Sequence, residues 1–216
     1  MLFKRKDYVK VDGSILVPPN KRWCGAEFKN NEFYLRSAEA EAIRIRDNLG
    51  CNKNSHILDV GSGQGRLAIG ILRIIGTLNY TGIDIHKPSV QWCRKHIQRK
   101  NPSFQFKHLD AYNERYSKNG DVINEGFHFD VTSQSMDIIY LYSVFSHMKK
   151  EEMEIYLREN LRMITSMDVE LCSMRMDGRM KENGLKANFM GMEKWSIQME
   201  TDTEENGGKT SVTAEG

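Results

Sequence analysis

The sequence predicts an α/β fold, a parallel sheet with helices on both faces, and three observations carry that prediction. Strand-like and helix-like patterns alternate along the chain, which is how crossover units are written. The first strand candidate reads as a short buried strand and the fourth as a nearly continuous apolar run, as expected of strands covered on both sides. Three glycines at alternate positions, Gly61, Gly63 and Gly65, follow directly on the first of those strands, where a strand-to-helix crossover would begin.

The elements follow in order. Residues 32–49, "EFYLRSAEAEAIRIRDNL", place Phe33, Leu35, Ala38, Ala42, Ile45 and Leu49 on one helical face, and Gly50 suits the position just past the helix end. "SHILDV" (55–60) reads as a short buried strand. "QGRLAIGILRII" (64–75) reads as a helix with Leu67, Ile71 and Ile74 inward and Gly76 at its end. "NYTGIDI" (79–85) is the second strand. Its helix, "KPSVQWCRKHIQRK" (87–100), has Pro88 in the first turn and is stopped by Asn101-Pro102. "FQFKHLD" (104–110) is a third strand with Phe104, Phe106 and His108 on one face. After a polar excursion over 111–135 come "MDIIYLYSV" (136–144) as the fourth strand and a helix over 149–164 with Met153, Tyr156, Leu157, Leu161 and Ile164 at helical spacing.

Whole-chain numbers bound the function. A length of 216 residues fits one domain with one substantial core. Lys+Arg 31 against Asp+Glu 29 leaves a formal charge of +2, which gives no electrostatic argument for nucleic acid or membrane. Cys24, Cys51, Cys93 and Cys172 are scattered without CxxC spacing and read as separate thiols in a reducing compartment, with no metal site. The start, "MLFKRKDYVK", lacks the apolar run of a signal peptide, and no stretch is long enough to span a bilayer. A cytoplasmic protein is the expectation.

A loop leaving a parallel strand and entering a helix presents backbone N–H groups, and glycine there lets a ligand lie against the main chain. The spacing narrows the ligand. Dinucleotide folds favour GxGxxG with pyrophosphate over the helix start, but here the third glycine position is Arg66. Asp59, two residues before Gly61, would repel a pyrophosphate and attract a cation. The loop therefore suits a nucleoside-like, positively charged ligand without phosphate, a description that S-adenosylmethionine meets.

"ILDVGSGQGR" resembles the glycine-rich motif of class I S-adenosylmethionine-dependent methyltransferases of the small-molecule type, and the other landmarks stand in that family's order. The resemblance covers roughly residues 25–164 and implies a Rossmann-like parallel-sheet sandwich that binds S-adenosylmethionine. It places Asp59, Gly61, Ser62, Gly63, Gly65 and Arg66 in the cofactor loop. Asp84, with Ile85 beside it, resembles the acid that accepts both ribose hydroxyls. Asp110-Ala111 resembles the pair that meets the adenine. "SMDIIYLYSVFSHM" resembles the fourth motif, with Tyr142 and Ser143 beside the methionine part and the reacting methyl.

His147 is the candidate catalytic residue, a base for an acceptor that must lose a proton, although capping the following helix or filling the cleft wall is the alternative. His86 reads as a solvated turn residue, and "LVPPN" (16–20) as a rigid loop. The basic run "RKHIQRK" reads as a solvated helix face. "RWCGAEFKNNEFY" and "FHFDV" either line a substrate cleft or serve as core and lid packing.

The family's pattern breaks after the fourth motif. "NLRMITSMDVELCSMRMDGRM" lacks the Pro-Gly-Gly turn, although "DVELCSM" (168–174) could serve as a fifth strand. "ANFMGMEKWSIQME" (187–200) could supply one further strand, and "ETDTEENGGKTSVTAEG" (200–216) reads as a disordered acidic tail, so the sheet is expected to be incomplete at its C-terminal strands. The expected organisation is an N-terminal helical, substrate-side segment (1–50), a cofactor-binding α/β domain (51–175) and an atypical tail (176–216). Three functions are open: methyl transfer to a small-molecule acceptor, cofactor binding without catalysis, and, against Arg66 and Asp59, nicotinamide-dependent oxidoreduction. Neither the acceptor nor the oligomeric state is encoded in a readable way.

Overall fold

A computed structural model describes residues 6–23, 25–113, 117–122, 129–131, 135–142 and 144, together with the backbone of strands within 171–215. The chain divides into two compact units, Met1–Asn54 with Ser62–His108, and Ser55–Gly61 with Leu109–Gly216. The fold is α/β with parallel ladders, as the sequence predicts.

The first unit opens with an antiparallel hairpin, β1 (Val9–Val11) and β2 (Ser14–Leu16), turning at Asp12-Gly13. Both turn residues have positive φ, 43° and 76°, as a two-residue turn matched to strand twist requires. Two 3-10 turns, Pro19–Lys21 and Ala26–Lys29, lead to helix α1 (Asn31–Leu49). The Asn30 side chain caps α1 by accepting from the Phe33 N–H at 2.9 Å, and Gly50 ends it in the left-handed region at φ 64°.

Helix α1 buries Tyr34, Leu35, Ala38, Ala42 and Ile45. Phe33, expected inward, is exposed, because two residues of helix rotate it about 200° from Leu35. Helix α2 (Arg66–Ile74) packs on α1, and the contact is close at Gly70, where a Cβ would lie 2.0 Å from the Ala38 carbonyl oxygen. Arg73 on α2 reaches Glu39 of α1 and Asp12 of the hairpin turn, tying the three together.

Strand β4 (Asn79–Asp84) pairs in parallel with β5 (Phe104–His108), Tyr80 opposite Phe104 and Asp84 opposite His108. Tyr80 stacks on Phe104 at 5.1 Å, and both are fully buried with Phe106. The helix expected over 87–100 is α3 (Lys87–Cys93) continued by a π-helical turn over Arg94–Gln98. Cys93 and Ile97, on either side of that change in winding, both lie against Gly65.

In the second unit β3 (His56–Val60) pairs in parallel with β6 (Ile138–Leu141), and β6 pairs in parallel with β7 (Leu171–Cys172), so part of "DVELCSM" is indeed a strand. All four β6 residues are buried, matching the continuous apolar run. The excursion after β5 folds back on itself through bridges Ala111–Asp121 and Asn113–Ser117.

"ANFMGMEKWSIQME" does supply strand, but the disordered tail expected over 200–216 needs correction. In place of a disordered tail, the backbone forms an antiparallel meander of β8 (Lys186–Met190), β9 (Lys194–Thr201) and β10 (Gly208–Glu215). An acidic composition points to disorder, whereas the short runs "KWSIQMET" and "GKTSVTAE" find each other as strands, a pairing that composition does not report. These three strands make a sheet of their own and are not added to the parallel ladder of β3, β6 and β7. The helix expected over 149–164 lies outside the described residues.

Candidate functional site

The chemistry gathers where β4 ends and α2 begins. Gly61, Gly63 and Gly65 all have positive φ. At Gly65 the need for glycine is double: φ is 73°, and a Cβ would come within 2.5 Å of Ile97 Cδ1 and 3.1 Å of the Cys93 sulfur. The loop thus lies directly on the buried face of α3. The Cys93 thiol donates to the Gly63 carbonyl at 3.6 Å.

Asp84 is the hub. Its Oδ2 accepts from the Gly63 N–H at 2.7 Å and its Oδ1 accepts from the His86 N–H, also at 2.7 Å. Each carboxylate oxygen keeps one further lone pair, so two neighbouring hydroxyls can still be accepted. Burial pushes the Asp84 carboxyl above its ordinary range, against the pull of those two backbone donors. An anion withdrawn from water at this point favours hydroxyls and cations and repels phosphate.

The loop amides are less available than the sequence suggests. Ser62 N–H donates to the Ile83 carbonyl at 3.0 Å, Gly65 N–H to the Ser62 carbonyl at 2.9 Å, and Gly63 N–H to Asp84. With those three amides engaged, the loop still offers a ligand bare main-chain surface, the remaining lone pairs of Asp84 and the Ser62 hydroxyl. Ser62 Oγ is buried with no hydrogen-bond partner among the described residues, a group that a bound polar ligand would satisfy.

Arg66 also reaches helix α1. Its guanidinium is buried, donates to the Ser37 carbonyl of α1 at 3.2 Å and lies 5.7 Å from the centre of the Phe28 ring. In this geometry it serves the α1–α2 contact. Ile85 is half-buried just past β4, and its carbonyl lies 3.1 Å from Nε2 of His108.

Three residues near this hub are not marked by any sequence pattern. His86, expected as a solvated turn residue, is half-buried, with its ring on Ser89 Oγ at 2.7 Å. Burial lowers its pKa, against the raising effect of Asp84. Trp23 sets its ring at 4.6 Å and 73° to His86 while remaining 56% exposed. Gln64 donates its side-chain amide to the Lys21 carbonyl. The last two contacts join segments far apart in the chain, which no local spacing announces. The aromatic-rich stretch beginning at Arg22 divides accordingly: Phe28 is core, and Trp23 stands at the site.

In the second unit, Asp59 is buried on β3 opposite Tyr140. Gly61 leaves space that a side chain would contest, since Val144 Cγ2 lies 2.6 Å from where a Cβ would be. Asp110 is exposed and its carbonyl accepts from the Asp121 N–H at 3.1 Å, while Ala111 beside it is buried. Tyr142, half-buried, stacks with Tyr140 at 6.4 Å. Ser143 and His147 lie outside the described residues. Among the described residues no group of His, Cys, Asp and Glu could hold a metal ion, and no helix is long and apolar enough to cross a membrane.

A bare-backbone loop opening a helix, joined to an acid at the tip of a parallel strand, places these groups at the carboxyl-end edge where ligands bind in open α/β folds. Residues 57–166 match the family described as "Methyltransferase domain", and the chain belongs to that family. Three solved structures illustrate the likeness. An inferred S-adenosyl-L-methionine-dependent methyltransferase from Methanococcus maripaludis is 16% identical with a TM-score of 0.49, over 68% of this chain and 60% of its own. Coclaurine N-methyltransferase, solved with N-methylheliamine and S-adenosylhomocysteine, is 18% identical with a TM-score of 0.46, over 62% of this chain and 34% of its own. Haemonchus contortus phosphoethanolamine N-methyltransferase 1, in complex with phosphoethanolamine and S-adenosylhomocysteine, is 13% identical with a TM-score of 0.44, over 72% of this chain and 32% of its own. The match thus spans between about a third and three fifths of the length of these structures.

Proposed function

We propose that the protein binds S-adenosylmethionine at the Ser62–Asp84 site and transfers its methyl group to a small-molecule acceptor. The observation that carries this reading is the carboxylate of Asp84, tied to the Gly63 amide and keeping one acceptor site on each oxygen. A ribose diol is the ligand group that matches two adjacent acceptors on one anion, and an anion that repels phosphate suits a nucleoside. The unpartnered Ser62 hydroxyl and the side-chain-free surface at Gly63 fit a polar group lying along the loop.

When bound, the cofactor supplies a methyl already activated by a positively charged sulfur; the acceptor's lone pair forms the new bond and the sulfur keeps the old bond's electrons. The protein's own part is alignment and exclusion of water. Asp84 fixes the ribose, and the glycine loop lets the rest of the ligand approach the backbone. Asp110, Ala111, Tyr142 and Ser143 keep the adenine-side and methyl-side roles that the resemblance implies, and His147 that of a base for a protonated acceptor. A small acceptor and a cytoplasmic setting are part of this reading, and the formal charge of +2 gives no electrostatic argument for a polyanionic partner.

Calorimetry with S-adenosylhomocysteine, set beside NAD, tests the donor site. Saturable binding of the former alone is expected, and binding of NAD alone would overturn the reading. Methyl transfer from labelled donor to a panel of phenols, amines and carboxylic acids tests the acceptor. Donor binding with no turnover on any acceptor would favour a cofactor-binding module without catalysis.

A further inference from the structure

Resting on the donor site proposed above, we infer that Lys21-Arg22-Trp23 is a clasp on that site: Trp23 covers the bound nucleoside, and Arg22 is the positioning residue that holds it in place. A closed circuit of contacts supports this. The Lys21 carbonyl accepts from the Gln64 side chain. Gln64 adjoins Gly63, whose amide donates to Asp84; Asp84 also accepts from the His86 amide; and the His86 ring meets Trp23. The N-terminal segment therefore grips both arms of the hub that would hold the ribose.

Arg22 makes the clasp rigid. Its buried guanidinium donates to the Val17 carbonyl at 3.0 and 3.1 Å, to the Phe28 carbonyl at 2.6 Å, to the Asn30 carbonyl at 3.3 Å and to Asn31 Oδ1 at 2.7 Å. It also lies 4.4 Å from the centre of the Tyr34 ring. A planar fork of N–H donors fixes chain on both sides of residue 23 at once, which the point charge of lysine could not do. The residue beside this anchor carries an indole left 56% exposed, and the His86 ring links that indole to the residue whose amide Asp84 holds. A large apolar ring held in place beside a nucleoside site is a stacking surface whose ordering cost is met before the ligand arrives.

The test is titration of the full chain with S-adenosylhomocysteine, followed by calorimetry and by tryptophan fluorescence, for the wild type and for Trp23→Ala, Trp23→Phe, Arg22→Lys and Gln64→Ala. Loss of one stacked ring weakens binding roughly 10-fold, so Trp23→Ala binds about that much more weakly, while Trp23→Phe stays within about 3-fold of wild type. The fluorescence change on binding disappears with Trp23. Arg22→Lys weakens binding and diminishes that change; should it fail to fold, Gln64→Ala, which removes only the tie to Lys21, is expected to do both in a chain of unaltered circular dichroism. Wild-type affinity in Trp23→Ala, or a fluorescence response that survives without Trp23, overturns the clasp and leaves the donor site standing. No binding by the wild type overturns both.

Discussion

The carbonyl oxygen of Ala38 lies 2.0 Å from the point where a Cβ on Gly70 would stand. No side chain fits between these helices, and the obstacle is backbone, which cannot swing aside. Gly70→Ala is therefore expected to destabilise the protein by about 1–3 kcal/mol despite the better helix propensity of alanine, because α1 and α2 must move apart. Urea unfolding of the two proteins measures this; equal midpoints would show that the helices pack differently.

Asp84 leads to a prediction with two signs. Asp84→Ala strands the Gly63 and His86 amides and removes the acceptors offered to a ribose, so it is expected to lower S-adenosylhomocysteine affinity by about 1–3 kcal/mol. The pH dependence follows from burial, which raises the carboxyl's folded pKa above its ordinary value. As pH falls, the wild type should lose ligand affinity from above the usual carboxylate range, as the proton takes up an acceptor site; Asp84→Asn should lack that step. The effect on folding runs the other way. A raised folded pKa means that the ionised group disfavours the fold, so its contribution to stability improves as pH falls through that pKa. Calorimetric titrations across the acid range, with parallel melting curves, read both signs.

Asp7 behaves oppositely. The hydrogen bond from Lys95, at 2.7 Å, with a further contribution from His96, pulls its carboxyl down from 3.8 to about 2. That stabilisation is fully present above 3.8 and is lost as pH falls through about 2. The pair is solvent-accessible, so screening holds the gain to about 0–1 kcal/mol. The difference in melting temperature between wild type and Asp7→Asn should shrink over that window and in high salt; a constant difference would mean that Asp7 acts through packing.

Side chains cover the backbone of β5 on the side away from β4. Phe106 donates its N–H to Gln98 Oε1 at 3.0 Å and accepts at its carbonyl from Arg94 Nε at 2.7 Å. Replacing both partners with alanine uncovers these strand groups, and the double variant is expected to lose about 1 kcal/mol per bond and to self-associate. Light scattering at rising concentration reports the second effect, and a strictly unaltered elution and melting profile would count against this role.

Neighbours in the chain suffice for helices α1, α2 and α3, most of the strands and the acid-bearing strand tips. The spacing of Leu35, Ala38, Ala42 and Ile45, the left-handed Gly50 and the glycine run before α2 depend on residues within a turn or two, so they are legible in the sequence. Which groups are engaged and which remain available was settled by packing. It turned Arg66 onto α1, tied up the amides of Ser62, Gly63 and Gly65 within the protein, and set Trp23 against His86. It also joined β8, β9 and β10 where composition suggested a tail. A hydrogen bond or ring contact between distant segments exists only once the chain is folded, and a local pattern carries no record of it.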